Sequence, residues 1–521
     1  VLATLANLVL CIPLAYLLWG WAVTHSVIPT LAHRWRITLI IAAGGLLIGA
    51  CSVGIANWGV KSSTWVLLDA LSLSMLLLIT FIGLMILGFS RHYLDGEQRQ
   101  DFFQRWFLLT LTSISTLVIS NHLVVSFVAW VLTSLCLHKL LLFYPERPKA
   151  QLAAHKRFIL SRFADISLFI AFVLIYLDTQ SFKIDAILTT YVSRETLSIS
   201  AESAMVLMVF AAILKCAQLP FHGWLLQVME APTPVSALLH AGIVNIGGFL
   251  MMRFADGFAM APAAQWLLLV VGTLTALTAS LIMMTRISIK VMLAWSTCAQ
   301  MGFMLMEVAL GLYELALLHL IAHSCYKAYN FLNAGETVNT QIAYELRSPR
   351  RQYRALLWLL VPVAVVGLSL TLAYLWLPLS FKLILVTIIV AFAISVFLAE
   401  AQRFISLTTL LPALLMGALT MAVYALWHNL FAVTTANLFP LHENGILETG
   451  FVLVAFALFY GLFASLRLWP DALLSRKLYP PLYAGLYLDE WFTRQTLKWW
   501  PIKFTDGTTS TVTTDPKKEC C

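Results

Sequence analysis

The chain is 521 residues long, 60% hydrophobic and only 11% charged, with a mean hydropathy of +0.86. A soluble chain of this length carries about twice that charge, so a globular cytosolic enzyme is excluded. The net charge of +8 is shared among alternate loops rather than gathered in one patch, which argues against a nucleic-acid partner.

Apolar runs of roughly 20 residues, each able to cross about 30 Å of hydrocarbon as a helix, recur along nearly the whole sequence. About fifteen spans are predicted, near residues 1–23, 37–59, 64–90, 105–120, 122–143, 158–177, 203–230 (broken), 235–253, 263–284, 289–310, 312–334, 355–377, 380–399, 404–435 and 447–468. The first is expected to be a span, not a cleaved leader, because it lacks a basic n-region and further spans follow at once.

Loops after odd-numbered spans hold Arg34 and Arg36; Arg91, Arg99 and Arg105; Arg147, Lys149, Lys156 and Arg157; Arg286; Arg347, Arg350, Arg351 and Arg354; and Arg403. Loops after even-numbered spans hold little beyond Lys61, Lys183, Arg194 and Arg253. The positive-inside rule then places the N-terminus outside and the C-terminal tail in the cytoplasm.

Five regions are expected: 1–100, three spans closed by a polar loop; 101–253, a first repeat; 254–400, a second and degenerate repeat; 401–470, further spans; and 471–521, an amphipathic segment with a polar tail. The intramembrane charges that look deliberate fall within 101–335. Lys382 and Glu400 lie near span ends, where snorkelling is the default. The mixed segment after Trp469, rich in aromatic and basic residues, suits an interfacial helix or a docking surface.

Cys11, Cys51, Cys136, Cys216, Cys298 and Cys325 stand singly in spans, and Cys520 and Cys521 end the chain. There is no C-x-x-C pair, Gly-rich phosphate loop or haem motif, so no cofactor is expected in this chain.

The most informative stretch is LKCAQLPFHGWLLQVMEAPTPVSALLHAG. It sets Lys215 near the middle of an apolar run, breaks that run with Pro220, Pro232 and Pro234, and resumes with His240 in the next span. A charged amine at membrane depth costs roughly 3 to 10 kcal/mol. A helix broken inside the bilayer is tolerated only where protein or a watery cavity satisfies the freed backbone. An ion pathway is implied, in which the amine alternates between neutral and charged forms as a proton passes. Asp165 in RFADISLFIAF is the nearest carboxylate partner by depth, although Arg162 at i−3 offers a local pairing.

His240 can be a relay group or a hydrogen-bonded core residue. His319, His323 and Lys327 follow at intervals of four and share one helix face. Metal binding there is disfavoured, since no carboxylate or thiolate stands nearby and an amine comes next, so a proton relay fits better. Glu230 can open a half-channel or simply face the cytoplasm. Lys290 begins the tenth span, where a cytoplasmic lysine is expected anyway. Its place in a second copy (Lys215 then His240; Lys290 then His319, His323 and Lys327) gives it a role.

The segment from Lys215 to His240, with KVMLAWSTCAQMGFM and HLIAHSCYKAYNFLNAG, resembles the proton-translocating antiporter-like subunits of respiratory complex I and the Mrp sodium/proton antiporters. The likeness runs from about Leu68 to Gly335. It implies an all-α polytopic membrane protein with two inverted repeats and a broken seventh helix. It also implies a pathway through Lys215, Asp165, His240, Lys290, His319, His323 and Lys327. The family's fifth-helix glutamate is missing: Val131 stands in its place. The twelfth-helix lysine is missing too, with Lys382 the one stand-in.

A shortened member with these losses resembles the DabB-type membrane subunits of bacterial inorganic-carbon accumulating complexes. That resemblance implies a soluble cytoplasmic zinc-dependent partner of DabA type, similar to β-carbonic anhydrases. The chain itself would be a non-enzymatic, cation-conducting subunit of the inner membrane. A Na+/H+ antiporter or complex I-type pump of the same fold, and a passive membrane anchor, are the alternatives.

Overall fold

The computed structural model describes residues 2–25, 30–56, 61–335, 439–440 and 445–501, with 388, 419, 423 and 426 as isolated positions. Lys382, Glu400, Cys520, Cys521 and the spans expected between 355 and 435 lie outside the described residues.

The protein is helical. In chain order the helices are α1 (Leu2–Thr24), α2 (Leu31–Ala56), α3 (Ala70–Tyr93), α4 (Gln100–Ile119), α5 (Leu123–Leu141), α6 (Pro148–Thr179), α7 (Ile184–Val192), α8 (Ile199–Lys215), α9 (Gly223–Gln227), α10 (Thr233–Ala241), α11 (Ile246–Arg253), α12 (Ala255–Ala259), α13 (Pro262–Met283), α14 (Ile289–Ala309), α15 (Tyr313–Leu332), α16 (Ile446–Leu468), α17 (Leu473–Tyr483) and α18 (Leu488–Trp499). Ten stretches among the described residues are long and apolar enough to cross a membrane, α10 and α11 counting together as one. The helix α8 falls short because it breaks after 17 residues.

Helices α6 and α8 lie side by side, as do α10 and α15, and α13 and α14, while α3 packs on both α10 and α15. Gly272 and Gly302 allow α13 and α14 to touch backbone to backbone. A Cβ on Gly272 would stand 2.8 Å from Gly302 O, and one on Gly302 2.7 Å from Ala276 N.

Residues Lys61–Ser62 and Leu67–Leu68 form a small antiparallel hairpin, so the third span starts at Ala70, later than its apolar run suggests. Asp69 caps α3 by accepting from Ser72 N at 2.7 Å. That side chain also pairs with Arg253 Nη1 at 2.5 Å, both partners being buried. Arg253 is therefore not a loop charge, and buried ion pairs extend below residue 101.

A second correction concerns α6, which begins at Pro148, ten residues ahead of its apolar run. The polar first turns conceal this start. Lys156 and Arg157, expected in a loop, are inside the helix and buried. Asp165 consequently sits near the helix middle.

The segment after Trp469 folds back on the body: α18 packs on α6 and α9. Asp489 on α18 meets Lys156 Nζ at 2.8 Å and accepts from Gln227 Nε2 at 3.2 Å. Trp500 stacks on His155 at 4.0 Å between ring centroids. Arg286 donates to Leu482 O at 3.0 Å. One side of this segment is therefore already occupied, while Trp491 and Trp499 remain exposed.

Candidate ion pathway

The helix α8 ends on Lys215 itself. The break begins at Cys216, ahead of the prolines, with Ala217 in the left-handed region (φ 51°) and a cis Leu219–Pro220 bond. Pro232 and Pro234 instead open α10, where a missing N–H is harmless. The freed backbone is satisfied by protein: Gln218 N donates to Ile213 O at 3.1 Å, and Leu219 N to Thr275 Oγ1 at 3.2 Å. This is the condition for irregular backbone at membrane depth.

Lys215 is buried. Its Nζ lies 3.2 Å from Asp165 Oδ1, so the expected pair is present. It also donates to Ser134 Oγ and sits 4.9 Å from the centroid of the Trp130 ring. The local pairing exists as well, with Arg162 Nη2 2.7 Å from Asp165 Oδ2. Trp130 Nε1 donates to Asp165 Oδ1 at 2.9 Å. Arg157 donates to Ser134 O at 3.1 Å and lies within Coulombic reach of Asp165. One carboxylate thus faces three basic side chains. Guanidinium groups stay protonated, so Lys215 is the one base of the three able to give up its proton.

Trp130 and Ser134 were not singled out in the sequence. They are four apart on α5 and flank Val131, so the helix that lacks the family carboxylate still contributes an indole N–H and a hydroxyl. Their spacing was the available signal.

The eighth span is broken too, which its apolar sequence does not announce. α10 stops at Gly242, residues Ile243–Asn245 form a 3-10 turn, and α11 follows. His240 in the last turn of α10 is fully buried; its Nδ1 is 3.0 Å from Thr297 Oγ1 and its ring stacks on Phe331 at 4.4 Å. Its Nε2 has no partner among the described residues. Asn245 Nδ2 donates to Ser324 Oγ at 2.7 Å, tying the turn to α15.

His319, His323 and Lys327 do share one face of α15, and α14 meets them. Lys327 Nζ donates to Ser296 Oγ at 2.7 Å and Leu293 O at 3.1 Å. Both ring nitrogens of His323 lack a partner among the described residues, and its ring lies 6.4 Å from that of His319. The expectation that no carboxylate approaches His319 is wrong. Glu307, buried in the last turn of α14, places Oε2 2.9 Å from His319 Nδ1, while Gln300 Oε1 is 2.8 Å from Nε2. Twelve residues and a turn separate Glu307 from His319, so the apolar pattern hides the approach. Among the described residues no group of three His, Cys, Asp or Glu side chains is placed to hold a metal.

Lys290 is half-buried in the first turn of α14 and donates to Thr233 Oγ1 at 3.1 Å, with no carboxylate partner among the described residues. Glu230, half-buried at the end of a 3-10 turn, makes no hydrogen bond or ion pair with described residues. These two stand apart from the Lys215 and His319 clusters.

Two broken spans, a buried lysine–aspartate pair and a polar seam between neighbouring helices define a class of multi-pass membrane proteins that move ions. The chain belongs to the NADH:quinone oxidoreductase/Mrp antiporter transmembrane family, whose profile matches residues 120–411. The profile of the NADH-ubiquinone oxidoreductase (complex I) chain 5 N-terminus matches residues 57–107. Within that class it is 39% identical over 90% of its length to a probable inorganic carbon transporter subunit DabB from Hydrogenovibrio crunogenus, 91% of which it covers. It is 36% identical over 91% of its length to the probable subunit DabB2 of Halothiobacillus neapolitanus, covering 86% of that protein. NADH-quinone oxidoreductase subunit L of Buchnera aphidicola is 36% identical over 52% of the chain and is covered over 45% of its own length. A solved Mrp complex from Dietzia sp. shares the fold at a TM-score of 0.64 and 22% identity. The match covers 96% of this chain and 59% of that one.

Proposed function

We propose that this chain is the proton-conducting, energy-coupling membrane subunit of an inorganic-carbon accumulating complex. In this reading it drives a soluble cytoplasmic zinc protein resembling carbonic anhydrase. The observation that carries the reading is the Lys215–Asp165 pair at the helix break. A passive anchor gains nothing from burying such a pair, which is costly to desolvate. The oxygens of Asp165 are engaged by Lys215, Arg162 and Trp130, which leaves a sodium ion few ligands there and favours the proton as the ion.

Protons running down their gradient would enter from the face opposite Lys156 and Arg286 and pass by His319, His323 and Lys327 to His240. They would leave through Lys215 and Asp165 on the face carrying Lys156 and Arg286. Charge parity makes that face cytoplasmic in a bacterial inner membrane, with the N-terminus outside. Each charge crossing about 100 mV releases roughly 2.3 kcal/mol, enough to bias a hydration equilibrium more than tenfold. The partner would bind zinc and perform the catalysis, and this chain would have no catalytic centre or cofactor of its own.

A sodium/proton antiporter or complex I-type pump is the second reading, favoured by the Mrp-like fold. Purification from detergent-solubilised membranes through a tag on this chain separates the two. Co-purification of a large soluble zinc protein, and loss of its carbon-accumulating activity in Lys215→Ala, is the expected result. Recovery of small antiporter subunits or a quinone-reducing assembly would refute the carbon reading, and full activity in Lys215→Ala would refute conduction.

A further inference from the structure

We propose that Glu307 is the proton-exchanging terminus of this pathway at the face opposite the one that Lys215 serves, so that α14 and α15 alone complete the crossing. This inference rests on the conduction reading given above and adds to it a residue, a position and an entry.

Helices α14 and α15 form a hairpin, joined by a turn at Leu310–Leu312. Polar groups of α14 recur on the side that meets α15: Ser296, Gln300 and Glu307, while Thr297 beside them meets His240 on α10. Those of α15 descend in the opposite direction: Lys327, His323 and His319. The two series meet as rungs, Lys327 on Ser296 at 2.7 Å and His319 on Gln300 and Glu307 at 2.8 and 2.9 Å. His323, whose two ring nitrogens have no partner among the described residues, lies between them. From Lys290 to Glu307 is seventeen residues, roughly 25 Å at about 1.5 Å per residue. That is most of a hydrocarbon thickness of about 30 Å.

Glu307 is the last rung and the one carboxylate among these groups. Its side chain is only 3% exposed, and a carboxylate so placed needs a partner. His319 supplies one. Both ring nitrogens of His319 have polar partners, Glu307 at Nδ1 and Gln300 at Nε2. Glu307 lies less than one turn from the α14–α15 connection, where its carboxylate can take a proton from solvent and hold it as a carboxylic acid. That proton can cross the Oε2–Nδ1 hydrogen bond to a neutral His319, leaving an imidazolium beside the restored carboxylate, and atoms and charge balance. No group from the C-terminal spans is required in this sequence of steps.

The test measures proton flux into proteoliposomes holding the purified complex, driven by a potassium diffusion potential and read with a trapped pH dye. Glu307→Gln keeps the size and hydrogen bond but cannot hold a proton, and flux should fall at least tenfold. Glu307→Asp keeps an acid and should recover a substantial part of that loss. A purely structural role predicts the reverse, because Gln preserves the contact geometry and Asp shortens it. If Glu307→Gln strands a charged imidazole and lowers the yield, the double variant Glu307→Gln/His319→Gln removes both charges and should fold while remaining inactive. Lys215→Met is run beside them. Flux lost in Lys215→Met but within twofold of the parent in Glu307→Gln, or in the double variant where the single one fails to fold, overturns this inference and leaves conduction intact. Flux unchanged in Lys215→Met overturns conduction itself.

Discussion

Replacing Lys156 by methionine should loosen the C-terminal segment by about 3 kcal/mol. The Lys156 side chain is wholly buried, and its carboxylate partner Asp489 is 26% exposed and arrives from 333 residues away. Removing one member of a buried pair typically costs 3–5 kcal/mol, because the other is left uncompensated. The partial exposure of Asp489 argues for the lower end. The stranded carboxylate cannot swing inward, since it already occupies the space beside Gly223, where a Cβ would fall on it. Ties that remain include Gln227, the contacts of Trp500 with His155 and Phe158, and Arg286 on Leu482 and Tyr483, so the loss should appear as local detachment rather than global unfolding. A cost of about 3 kcal/mol raises the detached population roughly a hundredfold. Hydrogen exchange followed by mass spectrometry should show that acceleration in peptides covering 486–499, with α13 and α14 unchanged. The double variant Lys156→Met/Asp489→Leu, an apolar pair of similar volume, should recover most of the protection. Exchange in Lys156→Met within about threefold of the parent would show that the pair does not hold the segment, and the reasoning would fail.

Gly223→Ala should produce the same detachment by a different route, since the added methyl displaces the Asp489 carboxylate; the same exchange experiment reads it. Asp256, half-buried between the eighth and ninth spans, has its pKa pushed up by burial to about 6. A carboxyl raised in the folded state favours the protonated form, so its contribution is fully present below about pH 4 and is lost as pH rises through about 6. Asp256→Asn should therefore raise the thermal midpoint at pH 7.5, by the equivalent of about 1 kcal/mol after allowance for solvent screening. It should change little at pH 4. Equal midpoints at pH 7.5 would contradict this.

The sequence by itself determined that the chain is a multi-pass helical membrane protein with charged groups buried at membrane depth. Hydrocarbon thickness imposes a span length, and buried charge is expensive enough to stand out wherever it occurs. Lys215, Asp165 and His240 were visible for that reason, and the four-residue spacing placed His319, His323 and Lys327 on one face without tertiary information. The three-dimensional fold decided which polar groups meet across helices. Trp130 and Ser134 reach the Lys215 pair, Glu307 reaches His319, and Asp489 reaches Lys156, each from a helix whose own pattern gives no sign of the contact. Periodicity reports the face a residue occupies on its own helix, whereas a partner is selected by how neighbouring helices cross. The same limit explains the start of α6: Lys156 and Arg157 look like loop charges until Asp489 and the Ser134 carbonyl are seen to compensate them inside the protein.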